Sequence, residues 1–201
     1  MIAIIDYDAG NLRSVEKALA HLGVEAVITR DRDAILAADK VVLPGVGAFG
    51  DAMDKLKKFG LVNTIYDVVD KKTPFLGICL GLQLMFSGSS ESEGVAGLGL
   101  LEGEIVRIPA KEGLKIPHMG WNSLKLRPGT RLFAGIEQEP YVYFVHSYYL
   151  KAKNEADVAA TTFYSVDIHA AVEHENLFAC QFHPEKSSEV GLRILKNFAS
   201  L

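Results

Sequence analysis

The sequence predicts an α/β fold: a mixed, mostly parallel central sheet flanked by helices on both faces, with an appended antiparallel hairpin region. Three observations predict it. Up to residue 86 short apolar runs alternate with stretches of helical period. Those runs hold almost no polar residue, as strands buried on both faces require. Beyond residue 100 the segments become short, β-branched and aromatic, and turn formers separate them.

Taken in order, Met1-Ile2-Ala3-Ile4-Ile5 meets Asp6 at once and has neither a basic flank nor a cleavage site, so it reads as a first strand and not a signal peptide. Leu12, Val15, Leu19 and Leu22 recur at three- and four-residue steps, predicting a helix over 12–22 with one buried face and Asn11 as its N-cap. The alternation continues with a strand at 24–28, a helix at 31–37, a strand at 41–43 and a helical stretch over 49–71 in two pieces. A strand at 75–78 and a helix at 80–86 complete it. Residues 87–99 read as a linker. Segments around 101–108, 115–126, 142–145, 158–163 and 170–172 read as antiparallel hairpins on one edge of the sheet. Residues 178–182 return as a strand and 187–201 close as a helix.

A chain of 201 residues suits one well-cored domain and is short for two, so 1–201 is expected to be a single domain. The balance of 49% apolar and 23% charged residues excludes disordered and fibrous classes. The net charge is −4 with no long basic run, so nucleic acid is not an expected partner. No apolar stretch approaches the roughly 20 residues of a membrane span. Only Cys79 and Cys180 occur, which fits a reducing, cytoplasmic setting. His21, His169 and His174 do not fall at metal-ligand spacing, and neither metal nor cofactor is expected.

Chemistry concentrates at two strand ends. Gly77-Ile78-Cys79-Leu80-Gly81 lies between an apolar run and a helix, so Cys79 stands on a strand-to-helix elbow, where flanking glycines remove colliding β-carbons. Helical N–H groups beyond it favour thiolate. The other reading is a buried cysteine filling a strand end. Phe182-His183-Pro184-Glu185 follows the last strand; His183 can take the thiol proton, and Glu185 can fix the imidazole tautomer. Together these predict a Cys79-His183-Glu185 triad. Cys180 alternates with Phe178 and Phe182 and is expected to pack as a small apolar residue. Pro44-Gly45-Val46-Gly47 follows the third strand and offers an N–H from Val46 or Gly47 to join that of Leu80 in an oxyanion hole. An ordinary glycine-rich turn is the alternative reading.

These residues resemble class I glutamine amidotransferases nearly end to end. Gly77-Ile78-Cys79-Leu80-Gly81-Leu82-Gln83 is similar to that class's nucleophile elbow, and Gln181-Phe182-His183-Pro184-Glu185-Lys186-Ser187 to its His-Glu segment. Pro117-His118-Met119-Gly120-Trp121-Asn122 and Tyr143-Phe144-Val145-His146-Ser147-Tyr148 resemble the glutaminase subunits of imidazole glycerol phosphate synthases. One departure is Asp6-Tyr7-Asp8-Ala9-Gly10-Asn11, where that family usually has glycine at the position of Asp8.

The resemblance implies that Cys79 attacks the side-chain amide of L-glutamine, and that Gln83, Glu91, Ser147 and Tyr148 hold the substrate. It further implies ammonia transfer to a (β/α)8-barrel cyclase of histidine biosynthesis, contacted through Asn11, Trp121, Asn122, Tyr143 and Lys186. Core packing is the other reading of Trp121. Competing expectations are an amidotransferase subunit of anthranilate or aminodeoxychorismate synthesis, a partner-independent cysteine hydrolase of γ-glutamyl bonds, and a non-catalytic regulatory subunit.

Overall fold

The computed structural model describes residues 1–201. In chain order it comprises β1 (Ile2–Ile5), α1 (Leu12–His21), β2 (Ala26–Thr29), α2 (Arg32–Ala37), β3 (Lys40–Gly45), α3 (Phe49–Lys58), α4 (Leu61–Asp70), β4 (Phe75–Cys79) and α5 (Leu80–Leu84). There follow β5 (Gly103–Arg107), β6 (His118–Ser123), β7 (Lys125–Leu126), β8 (Tyr141–His146), β9 (Tyr148–Ala152), β10 (Val158–Tyr164), β11 (Val166–His174), β12 (Leu177–Cys180) and α6 (Ser188–Ala199). The main sheet runs β2-β1-β3-β4-β12-β11-β10-β7, with β5 and β9 attached through β11. It is parallel from β2 to β12 and antiparallel beyond.

Strand side chains alternate between two faces, and each face buries a separate core. Ala3, Ile5, Val41 and Leu43 pack with Ile35 of α2, Met53 and Leu56 of α3, Ile65 and Val68 of α4, and Leu82 of α5. Ile2, Ile4, Val42, Leu76 and Ile78 pack on the opposite side with Val15 and Leu19 of α1, Ile194, Leu195 and Phe198 of α6, and Phe144 of β8. Each buried Val, Leu, Ile, Met or Phe among them contributes ~1.5–3 kcal/mol by leaving water. The near-continuous apolar strands are thus explained by helices on both faces, as the sequence predicts.

The register of the parallel strands builds the site. Gly45 of β3 lies opposite Cys79 of β4, and Cys180 of β12 lies opposite Ile78. Three carboxyl ends therefore meet at one edge, where ligands bind in open α/β sheets.

Several boundaries differ from expectation. The hairpins divide: β11, β10 and β7 extend the main sheet, while β6 and β8 pair by themselves. Strand β9 follows β8 after Ser147 alone, with no glycine or proline to signal a break. Asn11 occupies the N-cap position at φ 74° but makes no capping hydrogen bond. Its amide is used elsewhere.

Close packing at the elbow explains its glycines. A β-carbon on Gly81 would lie 1.8 Å from the Leu43 carbonyl oxygen, and one on Gly77 would lie 2.8 Å from the Gly81 carbonyl. Both neighbours are backbone, so α5 and β3 would have to separate. Gly23, by contrast, has φ 72° and nothing within 4 Å of a β-carbon. Gly81→Ala should destabilise the chain by about 3 kcal/mol or more through overpacking, against ~1–2 kcal/mol for the strained turn of Gly23→Ala. Urea unfolding of both variants measures the difference.

Candidate active site

Cys79 ends β4 at φ 56° and ψ −110°, outside the regions an L-residue ordinarily occupies. The sharp elbow turns its thiol to the carboxyl edge. Only one short helix follows, since α5 stops at Leu84 and not at 86, so the helical field on the sulfur is smaller than the sequence suggests.

His183 reaches the same edge from the turn after β12. Its N–H donates to the Tyr143 carbonyl at 2.9 Å, and its own carbonyl accepts from Ser187 Oγ at 2.6 Å. Imidazole Nδ1 meets Glu185 Oε1 at 2.7 Å, both side chains being fully buried. The amide of Asn11 donates to the same carboxylate oxygen. An ionised carboxylate only accepts, so Nδ1 carries the proton of that bond. Nε2 is buried without a partner and remains available to the sulfur. Burial pushes His183 down, but the nearby Cys79 sulfur and the hydrogen-bonded Glu185 carboxylate outweigh it and hold the imidazole up at about 9.

A cleft of about 390 Å³ opens on this pair and brings together the residues expected there: Val46, Gly47, Leu80, Gln83, Glu91, Ser147 and Tyr148. Gly47 takes φ 102°, a conformation that favours glycine, and neither its N–H nor that of Val46 is bonded within the chain. Below them Tyr7 Oη donates to the Pro44 carbonyl at 2.9 Å and fixes the base of the segment. Glu91 Oε2 accepts from the Phe49 N–H at 2.8 Å, beside a Ser92 Oγ that takes the Gly50 N–H at 3.0 Å. The 87–99 segment thereby caps α3, whose own N-cap, Ala48, offers no side-chain acceptor. Gln83 spends its Nε2 on the Tyr148 carbonyl at 3.2 Å and on Gln181 Oε1 at 3.1 Å, which leaves its oxygen as the free acceptor.

The residues expected at a partner surface separate into two groups. Trp121 is 53% exposed, which sets aside core packing, and it meets Tyr143 edge-on across β6 and β8. Met119 and Tyr141 are exposed on the same hairpin, and Lys186 is exposed in the turn below His183. Asn11 and Asn122 instead have engaged side chains, the first on Glu185 and the second on the Phe163 carbonyl at 3.0 Å. Cys180 is fully buried, and burial holds its thiol well above the ordinary range, in keeping with a packing role.

Three contributors carry no sequence assignment. Tyr7 and Gln181 are two, and His146 is the third. Imidazole His146 is buried, with Nδ1 at 2.8 Å from the Tyr148 carbonyl and Nε2 at 3.0 Å from His118 Nδ1. Burial pushes His118 down to about 4 and His146 to about 3. The available signal for Gln181 is its polarity inside Phe178-Ala179-Cys180-Gln181-Phe182.

The two sets of histidines act oppositely on stability. An unfolded imidazole takes up its proton near pH 6.5. Folded His118 and His146 stay neutral down to about 4 and about 3, so below pH 6.5 the unfolded chain binds more protons and stability falls as pH falls. His183 keeps its proton up to about 9, so its contribution is complete below pH 6.5 and disappears as pH rises through about 9. Denaturant unfolding between pH 6.5 and 5 should show a positive dependence of stability on pH, and His146→Gln should flatten it even where it lowers the absolute value. An equally steep dependence in that variant would contradict the assignment.

The comparisons agree with this geometry. The family described as Glutamine amidotransferase class-I matches residues 3–200. The imidazole glycerol phosphate synthase subunit HisH of Moorella thermoacetica is 54% identical, over 100% of this chain and 94% of the relative. That of Methanocaldococcus jannaschii is 47% identical, over the whole of both. Among solved structures, a glutamine amidotransferase aligns over 100% of both chains at TM-score 0.77 and 18% identity. A chain of PurLQS from Thermotoga maritima aligns at TM-score 0.78 and 18% identity, over 99% of this chain and 97% of its own. With a family match over almost every residue and HisH relatives about half identical along their full length, the chain belongs to the class I glutamine amidotransferases, in the branch of the HisH subunits.

Proposed function

We propose that the chain, as one amidotransferase domain over 1–201, is the glutaminase subunit of an imidazole glycerol phosphate synthase. It hydrolyses L-glutamine to glutamate and ammonia, and delivers the ammonia to a (β/α)8-barrel cyclase in a heterodimer. The cyclase uses it to make imidazole glycerol phosphate and an aminoimidazole carboxamide ribotide in histidine biosynthesis. The observation that carries the reading is the buried His183–Glu185 pair, its second nitrogen free, beside a cysteine held at φ 56° on the neighbouring strand end.

In this mechanism Cys79 Sγ attacks the substrate's amide carbon, and the oxygen gains negative charge. Preorganised N–H donors at that point are worth about 10²–10³ in rate. Leu80 supplies one and the Val46–Gly47 segment the other, whose unbonded N–H groups suit the task. Protonated His183 gives its Nε2 proton to the departing nitrogen, the C–N bond breaks, and ammonia leaves a thioester. Water then attacks that thioester, with His183 taking its proton as base. Cleavage of the C–S bond releases glutamate and returns the sulfur to its imidazolium partner. Glu91, with one oxygen on Phe49, offers the other to the substrate ammonium, and Gln83 offers its free oxygen. Ammonia in neutral water is mostly protonated and non-nucleophilic, so direct delivery to a docked partner suits the chemistry. Exposed Trp121, edge-on to half-buried Tyr143, and exposed Lys186 suit that docking.

Glutamine hydrolysis by the assembled enzyme should disappear in Cys79→Ala. Glu185→Gln should lower kcat by about 10²–10⁴, since the tautomer is no longer fixed. Glutamate release measured with and without the barrel cyclase and its nucleotide ligand tests the partner, and a rate indifferent to the cyclase would favour a free-standing γ-glutamyl hydrolase. Trp121→Ala should weaken association about 30-fold by titration, the loss of one aromatic anchor.

A further inference from the structure

We propose that Gln181 is a positioning residue for the nucleophile: its side-chain amide donates a hydrogen bond to Cys79 Sγ, in a direction set by the Tyr148 carbonyl acting through Gln83. The inference rests on Cys79 being the nucleophile and adds a second group, besides His183, that addresses the sulfur.

Gln181 is completely buried just beyond β12, where its N–H donates to the Ala170 carbonyl at 2.8 Å and fixes the backbone. Its side chain has two partners. Oε1 accepts from Gln83 Nε2 at 3.1 Å, and Nε2 lies 3.8 Å from Cys79 Sγ, a hydrogen-bond distance for the larger sulfur atom. The sulfur is the one acceptor this nitrogen has.

An isolated amide could sit either way round, but this one is oriented from outside. The Tyr148 carbonyl can only accept, so Gln83 turns its NH₂ toward it at 3.2 Å. The second hydrogen of that nitrogen faces Gln181, which must answer with Oε1. Nε2 of Gln181 then falls on the sulfur. Reversing Gln181 alone would set NH₂ against NH₂, with carbonyl oxygen against the sulfur. The anchor is itself held, because the Tyr148 carbonyl also takes His146 Nδ1 at 2.8 Å, whose Nε2 meets His118 Nδ1 at 3.0 Å. His118 Nε2 lies 3.4 Å from Asn122 Nδ2. A continuous set of directed amides and imidazoles therefore runs from Asn122 to the nucleophile.

The donor acts differently on the two states of the sulfur. A thiol is a weak acceptor, whereas a thiolate receives a stronger, charge-assisted bond. A buried N–H left without a good acceptor is unfavourable, so Gln181 stabilises the charged form relative to the neutral one. The same bond restricts rotation of the thiol and holds its attacking side toward the cleft.

Other groups also face Cys79: His183 with Glu185 behind it, Tyr7 beyond β1, Cys180 within β12, and His146 and Glu91 in the cleft wall. All are retained when Gln181 alone is replaced. The test is the pH dependence of Cys79 alkylation by iodoacetamide in the full chain, read by mass spectrometry, with Cys79→Ser as the blank. Gln181→Met, similar in volume but without a donor, should move the midpoint upward by about one pH unit, a tenfold change in the thiol–thiolate ratio. Gln181→Glu keeps the shape, replaces the donor with an acceptor, and should move it at least as far. The second variant serves if the first fails to fold. Normal labelling with an unmoved midpoint in a folded variant overturns the role of Gln181 and leaves the nucleophile intact. No labelling of Cys79 in the unsubstituted chain overturns the nucleophile assignment and this inference with it.

Discussion

The seat of α5 against β3 governs the rest of the molecule's chemistry. Gly81 lies directly under the Leu43 carbonyl, with no room for a side chain, and Gly77 lies under Gly81, where a β-carbon would come within 2.8 Å of its backbone. This contact forces the chain to reverse within a single residue, and Cys79 absorbs the turn at φ 56°. The strain, of order 1–3 kcal/mol, is held by the surrounding sheet, because β4 is paired on both sides, to β3 and to β12. Those same pairings bring Gly45 and the turn after Cys180 alongside the sulfur. One packing constraint thus turns the buried Cys79 thiol to the carboxyl edge and gathers its neighbours.

Electrostatics are graded outward from that point. Cys79 and Glu185 keep His183 protonated against its burial, while His146 and His118, without a carboxylate partner, are neutral. The contrast follows from neighbourhood: one imidazole lies against an acid that Asn11 also grips, the others against a carbonyl and two aromatic rings. On the His146 side the wall beside Cys79 and His183 is therefore polar but uncharged, while Glu185 and Glu91 bring carboxylates from behind and across the cleft. Neutral donors and acceptors in such a wall have fixed directions, which holds the Cys79 side chain in a defined orientation.

Much of this was legible in the sequence, for reasons that differ by residue. The parallel half could be read because strands buried on both faces are nearly free of polar residues, and because Val15 and Leu19 repeat at helical spacing. Cys79, His183 and Glu185 could be read because glycine flanks and strand-end placement are local features. Hairpin pairing was less legible: β6 and β8 separate from the main sheet through contacts distant in the chain, and no glycine or proline divides β8 from β9. Asn11 shows the limit most clearly. Its position before a helix favours capping, yet at φ 74° its amide turns to a carboxylate 174 residues away. Gln181 and His146 fall within recognisable motifs but have no legible role, because a buried polar residue declares its role only through partners supplied by other strands.

The central claim is that the sulfur and the imidazole share one charge pair at the edge of a parallel sheet. Nitrogen-15 NMR of the chain labelled at histidine tests it most directly, by following the protonation of His183 with pH in the native chain and in Cys79→Ala. The account predicts an imidazolium at pH 7.5 that titrates near 9 in the native chain and at distinctly lower pH once the sulfur is gone. A neutral His183 at pH 7.5, or a titration indifferent to the loss of Cys79, would contradict it.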